Sequence, residues 1–437
     1  MQWQLRTLAS AVAVLALATV GLAEHGAAAA AASDPGVTDK QVTIGYIYSG
    51  TGVAASTSQN GGKACQARVD RQNARGGVNG RKIKVITIDD ASSGANLTAA
   101  QDLVNNRNAF MVVDDSAFGF LTYRFLLSNG VPMIGGGYDG DYYGKPGNES
   151  IFSALGTPFA GLTYDSSIRI MKTLGATKTA AIGYGASPSS SASAKTLQQY
   201  AAPALGLDPV YTNTSVDFGS SDVGPLVLGM KNAGANGVYL PLVASTNIAI
   251  IQGLQQNGVN MKALVMPTGY GQDLLNQPIA QNLGPADVFT SAWAPVELKT
   301  KATKQFVSDL KKYSGLTGVP NFGSYTGYIT CELAILGLEH AGATPTRQGF
   351  VDGLRKLGSY DQAGLGCTSV DLSTQHYGKY PINSCGYAVT VKNGKFVPSN
   401  GGKPIKTKLV GDPSVLASST FGASTSSSSS TTTTTAK

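Results

Sequence analysis

QVTIGYIYSGTG at residues 41–52 begins the stretch of sequence that decides the fold. Within it, Val42–Tyr48 predicts a buried strand. The polar segment Ser56–Arg75 then predicts a helix, which the glycines of GGVNG at 76–80 end. RKIKVITIDD at 81–90 predicts a second strand. A strand, a crossover helix and a second strand form a βαβ unit, which requires its two strands to be parallel.

The same alternation of strand and helix patterns continues in two runs, which an extended segment at Ile151–Pro158 separates. The second run begins with a predicted helix at Gly161–Leu174 and ends with a predicted strand at Val288–Trp293. After Pro295 the pattern changes to three helices and a hairpin with Asn393-Gly394 at its turn. Two α/β lobes are therefore expected. Their predicted boundaries are 40–152 with 296–366 for lobe 1, and 153–295 with 380–410 for lobe 2.

The N-terminal sequence predicts a signal peptide that is removed, and the C-terminal sequence predicts a disordered tail. Residues 1–32 combine Arg6, an apolar run over Leu8–Ala23 and an alanine-rich zone, which is typical of a secretory signal peptide. No cysteine stands near the predicted cleavage site to carry a lipid anchor, and no later apolar run is long enough to span a bilayer. Residues 418–437 are rich in Ser and Thr and predict a disordered tail. We expect an exported protein, periplasmic or extracellular, without a stable membrane anchor.

Composition and charge argue against nucleic-acid binding. Of the 437 residues, 42% are hydrophobic and 14% are charged, which indicates a well-buried globular protein. The net charge of +7 is spread over a large surface. Its densest clusters, at Arg81–Lys84 and Lys299–Lys312, lie in a turn with its strand and on a helix predicted to be exposed.

Four cysteines in an exported chain predict two disulfides, with three possible connectivities. Cys367 and Cys385 enclose a short loop and are the easiest pair to close. Cys65 and Cys331 each lie on a predicted helix, and a bridge between them requires those helices to lie side by side. Four buried free thiols are the alternative.

Polar and aromatic residues follow the predicted strands at the ends where a ligand is expected. In open parallel α/β sheets, ligands bind beyond the carboxyl ends of the strands, where helix N-termini point their N–H groups inward. Hydroxyls, backbone amides and aromatic faces suit a small polar or amphipathic molecule. The predicted ligand-binding residues are Tyr48, Ser49, Thr51, Asp115, Ser116, Gly137, Tyr138, Asp139, Tyr184, Ser187, Val243, Thr268 and Tyr270.

Several of these residues have an alternative role. A tyrosine at a strand end is often a packing residue, and Asp139 and Asp141 can hold a turn. Asp114 and Asp115 are adjacent, so at most one of them normally faces inward from an extended strand. Ser116 is the better placed of the three because it stands where a helix is expected to begin.

No catalytic, metal or cofactor site is predicted. Gly135, Gly137 and Gly140 match G-x-G-x-x-G after a strand, but no helix follows on which a pyrophosphate could sit. Beyond the predicted signal peptide the sequence contains only His340 and His376. The residues for a Ser/His/Asp triad or a His-based metal site are therefore lacking.

Four segments in order along the chain carry a family resemblance: VTIGYIYSGTG at 42–52, NARGGVNGRKIKVITIDD at 73–90, VPMIGGG at 131–137 and FGSYTGYITCELAILGLEHAG at 322–342. Together they resemble the periplasmic binding proteins of the leucine/isoleucine/valine type, the substrate-capturing components of ABC importers. The resemblance spans Val42–Val397. It implies an α/β fold of two Rossmann-like lobes with parallel central sheets flanked by helices, joined by a three-segment hinge and closing around the ligand. It also implies that the helix with Cys331 returns to the first lobe, next to Cys65.

The resemblance assigns first-lobe binding residues one by one. Family members that bind amino acids hold the carboxylate with a serine, whose place Ser116 takes, and with a threonine. The segment that matches the threonine reads Gly137-Tyr138-Asp139 in this chain.

In the second lobe the match is weaker. Leu242 and Val243 stand where the family often has a tyrosine. No acidic residue stands at Pro267–Gly269, near which the family's partner for the ligand ammonium is expected. A buried ammonium without a carboxylate is costly, so a standard α-amino acid is disfavoured unless Asp139 or Asp115 supplies the acid.

These features predict a solute-binding protein without catalytic activity. It is expected to capture a small polar or amphipathic molecule, amino-acid-like or related, between two lobes and to deliver it as a monomer to the permease subunits of an ABC importer. An extracellular ligand-sensing module of the same fold is the alternative, and a secreted hydrolase is the third and least supported hypothesis.

Overall fold

The computed structural model describes residues 34–140, 142–143, 145–157 and 161–421, with the side chain of Phe421 left out. The predicted signal peptide and residues 422–437 of the predicted tail lie outside the described residues. Short 3-10 and π turns join some of the helices and are not numbered below.

The first part of the chain forms a parallel sheet covered by helices. Its strands follow in the order β2-β1-β3-β4-β5, and every neighbouring pair is parallel. The predicted βαβ unit is therefore confirmed. The elements are β1 Gln41–Tyr48, α1 Ala55–Ser58, α2 Gly61–Ala74, β2 Lys82–Asp89, α3 Ala95–Asn105, β3 Met111–Asp115, α4 Tyr123–Ser128, β4 Met133–Gly135 and β5 Ile151–Ser153.

The second part repeats the alternation around a second sheet. Five of its strands are parallel, in the order β8-β7-β9-β10-β11. The elements are β6 Leu162–Tyr164, α5 Ser166–Thr173, β7 Lys178–Tyr184, α6 Pro188–Thr196, α7 Ala202–Ala204, β8 Asp208–Val216, α8 Gly224–Asn232, β9 Gly237–Tyr239, α9 Ala244–Gln256, β10 Ala263–Met266, α10 Gln272–Leu275 and β11 Asp287–Ser291.

The last part of the chain contributes to both sheets. Its first three helices return to the first sheet, and its longer strands extend the second. The elements are α11 Lys301–Asp309, α12 Phe322–His340, α13 Arg347–Leu357, β12 Ser359–Tyr360, β13 Val370–Asp371, β14 Tyr380–Pro381, β15 Asn383–Lys392, β16 Lys395–Pro398, β17 Ile405–Gly411, α14 Pro413–Ser419 and β18 Thr420–Phe421.

The second sheet is mixed, although the strand and helix patterns suggested a parallel sheet. β15 joins the edge of β11 in antiparallel orientation, and β17 and β6 continue the sheet beyond it. The helix predicted at Gly161–Leu174 is wrong in its first turn, because Leu162–Tyr164 pairs with β17 as a strand. The hairpin prediction is confirmed: Asn393 and Gly394 have φ values of 52° and 67° between β15 and β16.

The predicted start of the disordered tail, at residue 418, falls within residues that form regular structure. Ser418 and Ser419 end helix α14, and Thr420 pairs with Tyr380.

Helix α12 packs against α2 and ties the late part of the chain to the first sheet. Gly327 of α12 allows this close approach, because a Cβ there would lie 2.2 Å from the carbonyl oxygen of Gly61. A disulfide joins Cys65 to Cys331, and both residues are completely buried. The pairing that the family resemblance implied is therefore confirmed.

Three connections link the two sheets: β5 to β6, β11 to α11 and β13 to β15. The second disulfide joins Cys367, in the loop before β13, to Cys385 of β15. The backbone N–H of Cys367 donates to the carbonyl of Ala292 at 3.2 Å, and Trp293 forms an isolated bridge with Gly366. These contacts hold the segment after β11 against the loop between β12 and β13. The three-segment hinge and the residue boundaries of the two lobes stay a prediction.

A candidate ligand cavity between the two sheets

A cavity of about 360 Å³ lies between the carboxyl ends of the strands of the two sheets. This volume is in the range of small-molecule sites. Its wall consists of serine and threonine side chains, tyrosine, tryptophan and phenylalanine rings, and small aliphatic groups. Among the described residues that form this wall there is no Asp, Glu, Lys, Arg or His. The described wall is therefore uncharged and combines hydroxyl groups with aromatic rings.

Six of the predicted ligand-binding residues line this cavity. One comes from the first lobe, and the other five follow strands β7, β9 and β10 of the second sheet. Their contact with a ligand stays a prediction. The six are Tyr138, Tyr184, Ser187, Val243, Thr268 and Tyr270.

Ser116 lies away from the cavity wall, within a buried polar network. Its hydroxyl donates to the carboxylate of Asp90 and lies 3.1 Å from the hydroxyl of Ser49. The same oxygen accepts a hydrogen bond from the backbone N–H of Phe118 at 2.9 Å. Ser116 is completely buried, as is Ser49. Both hydroxyls are thus occupied by protein partners, which the sequence did not show.

Asp115 also lies behind the wall. Its carboxylate accepts hydrogen bonds from the hydroxyls of Tyr46 at 2.9 Å and Tyr138 at 2.7 Å. Burial raises its pKa to about 6, against the opposing effect of these hydrogen bonds. Asp115 therefore positions the cavity residue Tyr138 and does not face the cavity itself.

Asp139 and Gly137 are also absent from the wall. The carboxylate of Asp139 accepts hydrogen bonds from the hydroxyls of Tyr142 and Tyr143, and burial raises its pKa to about 7. Gly137 has a φ of 84°, and a Cβ there would lie 2.2 Å from the hydroxyl of Ser153. With Asp115 and Asp139 both turned away, neither supplies the acid that an ammonium would need.

Tyr48 and Thr51 lie outside the wall as well. The ring of Tyr48 packs on Tyr46, with 5.7 Å between the centroids. Thr51 is exposed, and its backbone N–H donates to Asp89 at 3.1 Å. Both residues stabilise the turn after β1.

Asp114 is the most strongly perturbed carboxyl group of the first lobe. It accepts hydrogen bonds from Thr122 Oγ1 at 2.7 Å and Asn96 Nδ2 at 3.1 Å. Complete burial raises its pKa to about 8. Asp114 and Asp115 lie in separate networks, consistent with the alternation of side chains along a strand.

Five of the seven tyrosines in the described wall donate their hydroxyl protons to protein acceptors. Tyr138 donates to Asp115, Tyr184 donates to Thr246 Oγ1 at 2.8 Å, and Tyr270 donates to Glu297 at 2.7 Å. Tyr164 and Tyr325 donate to backbone carbonyls at 2.8 and 3.0 Å. These residues therefore offer a ligand their ring faces and no free proton.

Several wall residues were missed by the sequence analysis. Thr57 comes from α1, Trp293 follows β11, Phe322 and Tyr325 come from α12, and Thr407 comes from β17. The place of Trp293 at the end of a predicted strand was a signal, whereas Phe322 and Tyr325 reach the wall only through the return of α12 to the first sheet. Thr407 had no signal, because its strand was not predicted.

The two lobes are in direct contact beside the cavity. The backbone N–H of Ala244 donates to Thr57 Oγ1 at 3.0 Å, and that of Ser245 donates to Ser56 Oγ at 3.2 Å. The hydroxyl of Ser189 donates to the carbonyl of Tyr138. The structure is therefore a closed arrangement of the lobes.

Within the described part of the chain, no helix is both long and apolar enough to cross a membrane. The same residues contain no group of three or more His, Cys, Asp or Glu side chains that could hold a metal ion.

Known proteins of the same fold are solute-binding proteins. Leu/Ile/Val-binding protein homolog 7 of Brucella abortus is 25% identical over 317 residues, which cover 68% of this chain and 76% of the relative. A fatty acid ABC transporter substrate-binding protein from Thermomonospora curvata superposes with a TM-score of 0.69 at 20% identity, over 84% of this chain and 93% of the other.

Two further solved structures share the fold with different ligands. The branched-chain amino acid transporter substrate-binding protein of Streptococcus pneumoniae, in complex with isoleucine, has a TM-score of 0.68 at 20% identity, over 84% of this chain and all of the other. A solute-binding protein of R. palustris, in complex with 4-hydroxybenzoate, has a TM-score of 0.64 at 19% identity, over 84% and 97%. A model of the family described as periplasmic binding protein matches residues 41–395. The chain therefore belongs to the periplasmic binding protein family.

Proposed function

We propose that this protein captures a small amphipathic solute between its two lobes and delivers it to an ABC importer. The observation that carries the proposal is the cavity of about 360 Å³ at the carboxyl ends of both sheets, with contributions from both lobes and the hinge. A solute in this position touches both lobes at once and so stabilises their closed arrangement. The comparisons with ABC transporter substrate-binding proteins support the same role.

The wall of the cavity favours binding over catalysis. Its cysteine, Cys385, is held in a disulfide, and its serines have no histidine or carboxylate beside them among the described wall residues. A serine without a general base is a weak nucleophile. Under the proposed function, the protein therefore releases its ligand chemically unchanged.

The wall also narrows the proposed ligand class. The relatives of known structure hold isoleucine, 4-hydroxybenzoate or, by name, a fatty acid. An α-amino acid carries an ammonium group, which requires a carboxylate or several acceptors when it is buried. Because the described wall provides no carboxylate, we favour a ring-containing or acyl molecule with a single polar end.

The remaining parts of the proposal concern location and partners. An exported monomer, periplasmic or extracellular, that meets the permease subunits of an importer fits the family and the predicted signal peptide. Nucleic acid, a membrane anchor and a cofactor have no part in the proposed function.

A thermal-shift panel tests the proposal. Purified protein is heated with benzoate, 4-hydroxybenzoate, benzamide, octanoate, isoleucine and benzylamine, each over a range of concentrations. Capture predicts that at least one compound raises Tm in proportion to the logarithm of its concentration and is recovered unchanged. Conversion of that compound by the protein would contradict the binding function, and a flat Tm across the panel would contradict capture of this class.

A further inference from the structure

The cavity wall contains no side chain that can balance a charge on a ligand. Among the described residues that line it, none is Asp, Glu, Lys, Arg or His. Most of its polar side chains are those of serine, threonine and tyrosine. A hydroxyl group both donates and accepts a hydrogen bond, but it carries no charge. The described wall can therefore satisfy a polar group of a ligand and cannot neutralise an ionic one.

Two carboxyl groups that are hydrogen-bonded to wall tyrosines show that a carboxylate is disfavoured in this part of the protein. Asp115 accepts a hydrogen bond from the hydroxyl of Tyr138 at 2.7 Å, and Glu297 accepts one from that of Tyr270 at 2.7 Å. Burial nevertheless raises the pKa of Asp115 to about 6 and also raises the pKa of Glu297. Hydroxyl donors thus do not make up for the hydration that these carboxylates lose. A ligand carboxylate held by hydroxyl groups alone loses its hydration in the same way.

The adjoining cavity does not bring a cation into the described wall. This second cavity, of about 200 Å³, shares part of the wall, and its buried cation is Arg355. The guanidinium donates to the carbonyls of Leu372 at 3.0 Å and Glu149 at 2.6 Å. It also lies over the rings of Phe152 and Tyr377, at 4.0 and 3.5 Å from their centroids. Arg355 is therefore held by protein groups outside the first cavity.

A ligand cation is disfavoured as well. Aromatic ring faces attract a cation, but more weakly than water hydrates an ammonium group. Several rings of the wall already cover one another: Trp293 stacks on Tyr325, with 5.3 Å between centroids and 11° between planes, and Tyr184 packs on Phe218 at 4.6 Å. The described wall has no carboxylate to pair with the ammonium. Either sign of charge on the ligand therefore loses hydration without a counter-ion.

We propose that the captured solute carries no ionised group. The proposal rests on the capture function above and names its substrate class: a ring or an acyl chain with an amide, hydroxyl or ether group as its polar end. The hydroxyl groups of the wall supply donors and acceptors for such an end, and the rings enclose the apolar body. A neutral polar group loses less hydration free energy on burial than an ion does. This class differs from the isoleucine and 4-hydroxybenzoate of the solved relatives, which both have a carboxyl group.

Two series of matched probes test the inference at neutral pH. Benzamide, benzoate, benzylamine and benzyltrimethylammonium share an aromatic ring, whereas octanamide, octanoate and octylamine share a hydrocarbon chain. Isothermal titration calorimetry on the full chain gives the Kd of each probe and of isoleucine. We expect at least one amide to bind, with a Kd at least about tenfold lower than those of the ionised members of its series and of isoleucine.

The outcomes separate this inference from the capture function. A smaller margin, or tighter binding of an ionised probe or of isoleucine, overturns the inference, although capture itself then stands. If no probe of either series binds and isoleucine does not bind, capture and inference fail together.

A cation introduced into the wall tests the physical cause. Ser187 lines the cavity and is partly exposed, so a longer side chain can be accommodated there. Ser187→Lys adds a positive charge, and Ser187→Met is the matched control of similar length without charge. Ser187→Lys should improve the binding of benzoate relative to benzamide by about tenfold, while Ser187→Met leaves this ratio unchanged. An equal ratio in the unmodified protein and both variants would show that charge does not select the ligand and would overturn the inference.

Discussion

The hydroxyl oxygen of Thr57 accepts a hydrogen bond from the backbone N–H of Ala244 at 3.0 Å, and this contact joins the two lobes beside the cavity. Ala244 is the first residue of helix α9, and the preceding residue, Val243, has a hydrocarbon side chain that cannot cap the helix. Ser56 accepts from the next N–H group, that of Ser245, at 3.2 Å. The first lobe thus caps a helix of the second lobe, which links lobe closure to helix stability.

Removing this cap is expected to weaken ligand capture without touching the ligand. Ser56 does not line the cavity, so Ser56→Ala acts on closure alone. Loss of one cap contact is worth about 0.5 to 2 kcal/mol, which predicts a rise in Kd of about twofold to about thirtyfold. Isothermal titration calorimetry measures this, with the exposed Ser128→Ala as control. Equal Kd values for the two variants would show that this cap contact does not contribute to ligand binding.

The disulfide between Cys65 and Cys331 is expected to dominate the stability of the first lobe. It spans 266 residues of sequence, whereas Cys367–Cys385 spans 18. A disulfide that closes a longer loop reduces the entropy of the unfolded chain more and so stabilises the folded protein more. The double replacement Cys65→Ala and Cys331→Ala should therefore lower the unfolding free energy by about 2 to 5 kcal/mol. Denaturant unfolding measures this loss. A larger loss for the Cys367 and Cys385 double variant would contradict it.

The close approach of α12 and α2 predicts a sharp steric effect at Gly327. A methyl group there would lie 2.2 Å from the carbonyl of Gly61, and neither backbone can move without shifting its helix. Gly327→Ala should therefore destabilise the protein by about 1 to 3 kcal/mol or more. Gly94→Ala is the control, because a Cβ at Gly94 meets open space and its φ is −59°. If both variants unfold at the same denaturant concentration, the helices are not packed this closely.

The buried carboxyl groups predict that stability falls as the pH rises. Burial raises the pKa of Asp114 to about 8, that of Asp139 to about 7 and that of Asp115 to about 6. The unfolded chain has carboxyl pKa values of about 4, so the folded protein binds more protons between pH 4 and pH 8. The free energy of unfolding therefore decreases across this window. The three raised pKa values together predict an unfolding free energy that is several kcal/mol higher at pH 5 than at pH 8.

Denaturant unfolding at several pH values measures this slope. Asp114→Asn removes one titrating group and should flatten it. An unfolding free energy that increases from pH 5 to pH 8 in the unmodified protein would contradict the burial of these carboxyl groups in their protonated form.

The sequence predicted those features that depend on local pattern. The β1, α2 and β2 elements follow from apolar runs and a glycine end signal within 50 residues, and their parallel pairing follows from the crossover. Strand β6 was read as helix because its partner, β17, lies more than 240 residues later in the chain. A three-residue strand with a distant partner has no periodicity of its own.

Apart from Tyr138 of the first lobe, the candidate site was predictable only where it follows a strand of the second lobe. Tyr184, Val243 and Thr268 reach the cavity directly from β7, β9 and β10. In the first lobe the strand ends carry a layer of hydrogen-bonded carboxylates, so Ser116 meets Asp90 before it can meet a ligand. Such a layer depends on the distances between side chains in the folded protein. These distances cannot be inferred from the spacing of residues in the sequence.

Trp293 provides the most direct measurement of the central claim, that a solute is enclosed between the lobes. The sequence contains two tryptophans, Trp3 and Trp293, and Trp293 is in the cavity wall. In the full chain with Trp3→Phe, titration of a compound that raises Tm should change the intrinsic tryptophan fluorescence saturably, with the Kd found by calorimetry. A compound that binds and raises Tm while the emission of Trp293 stays constant would place the ligand elsewhere and contradict the account.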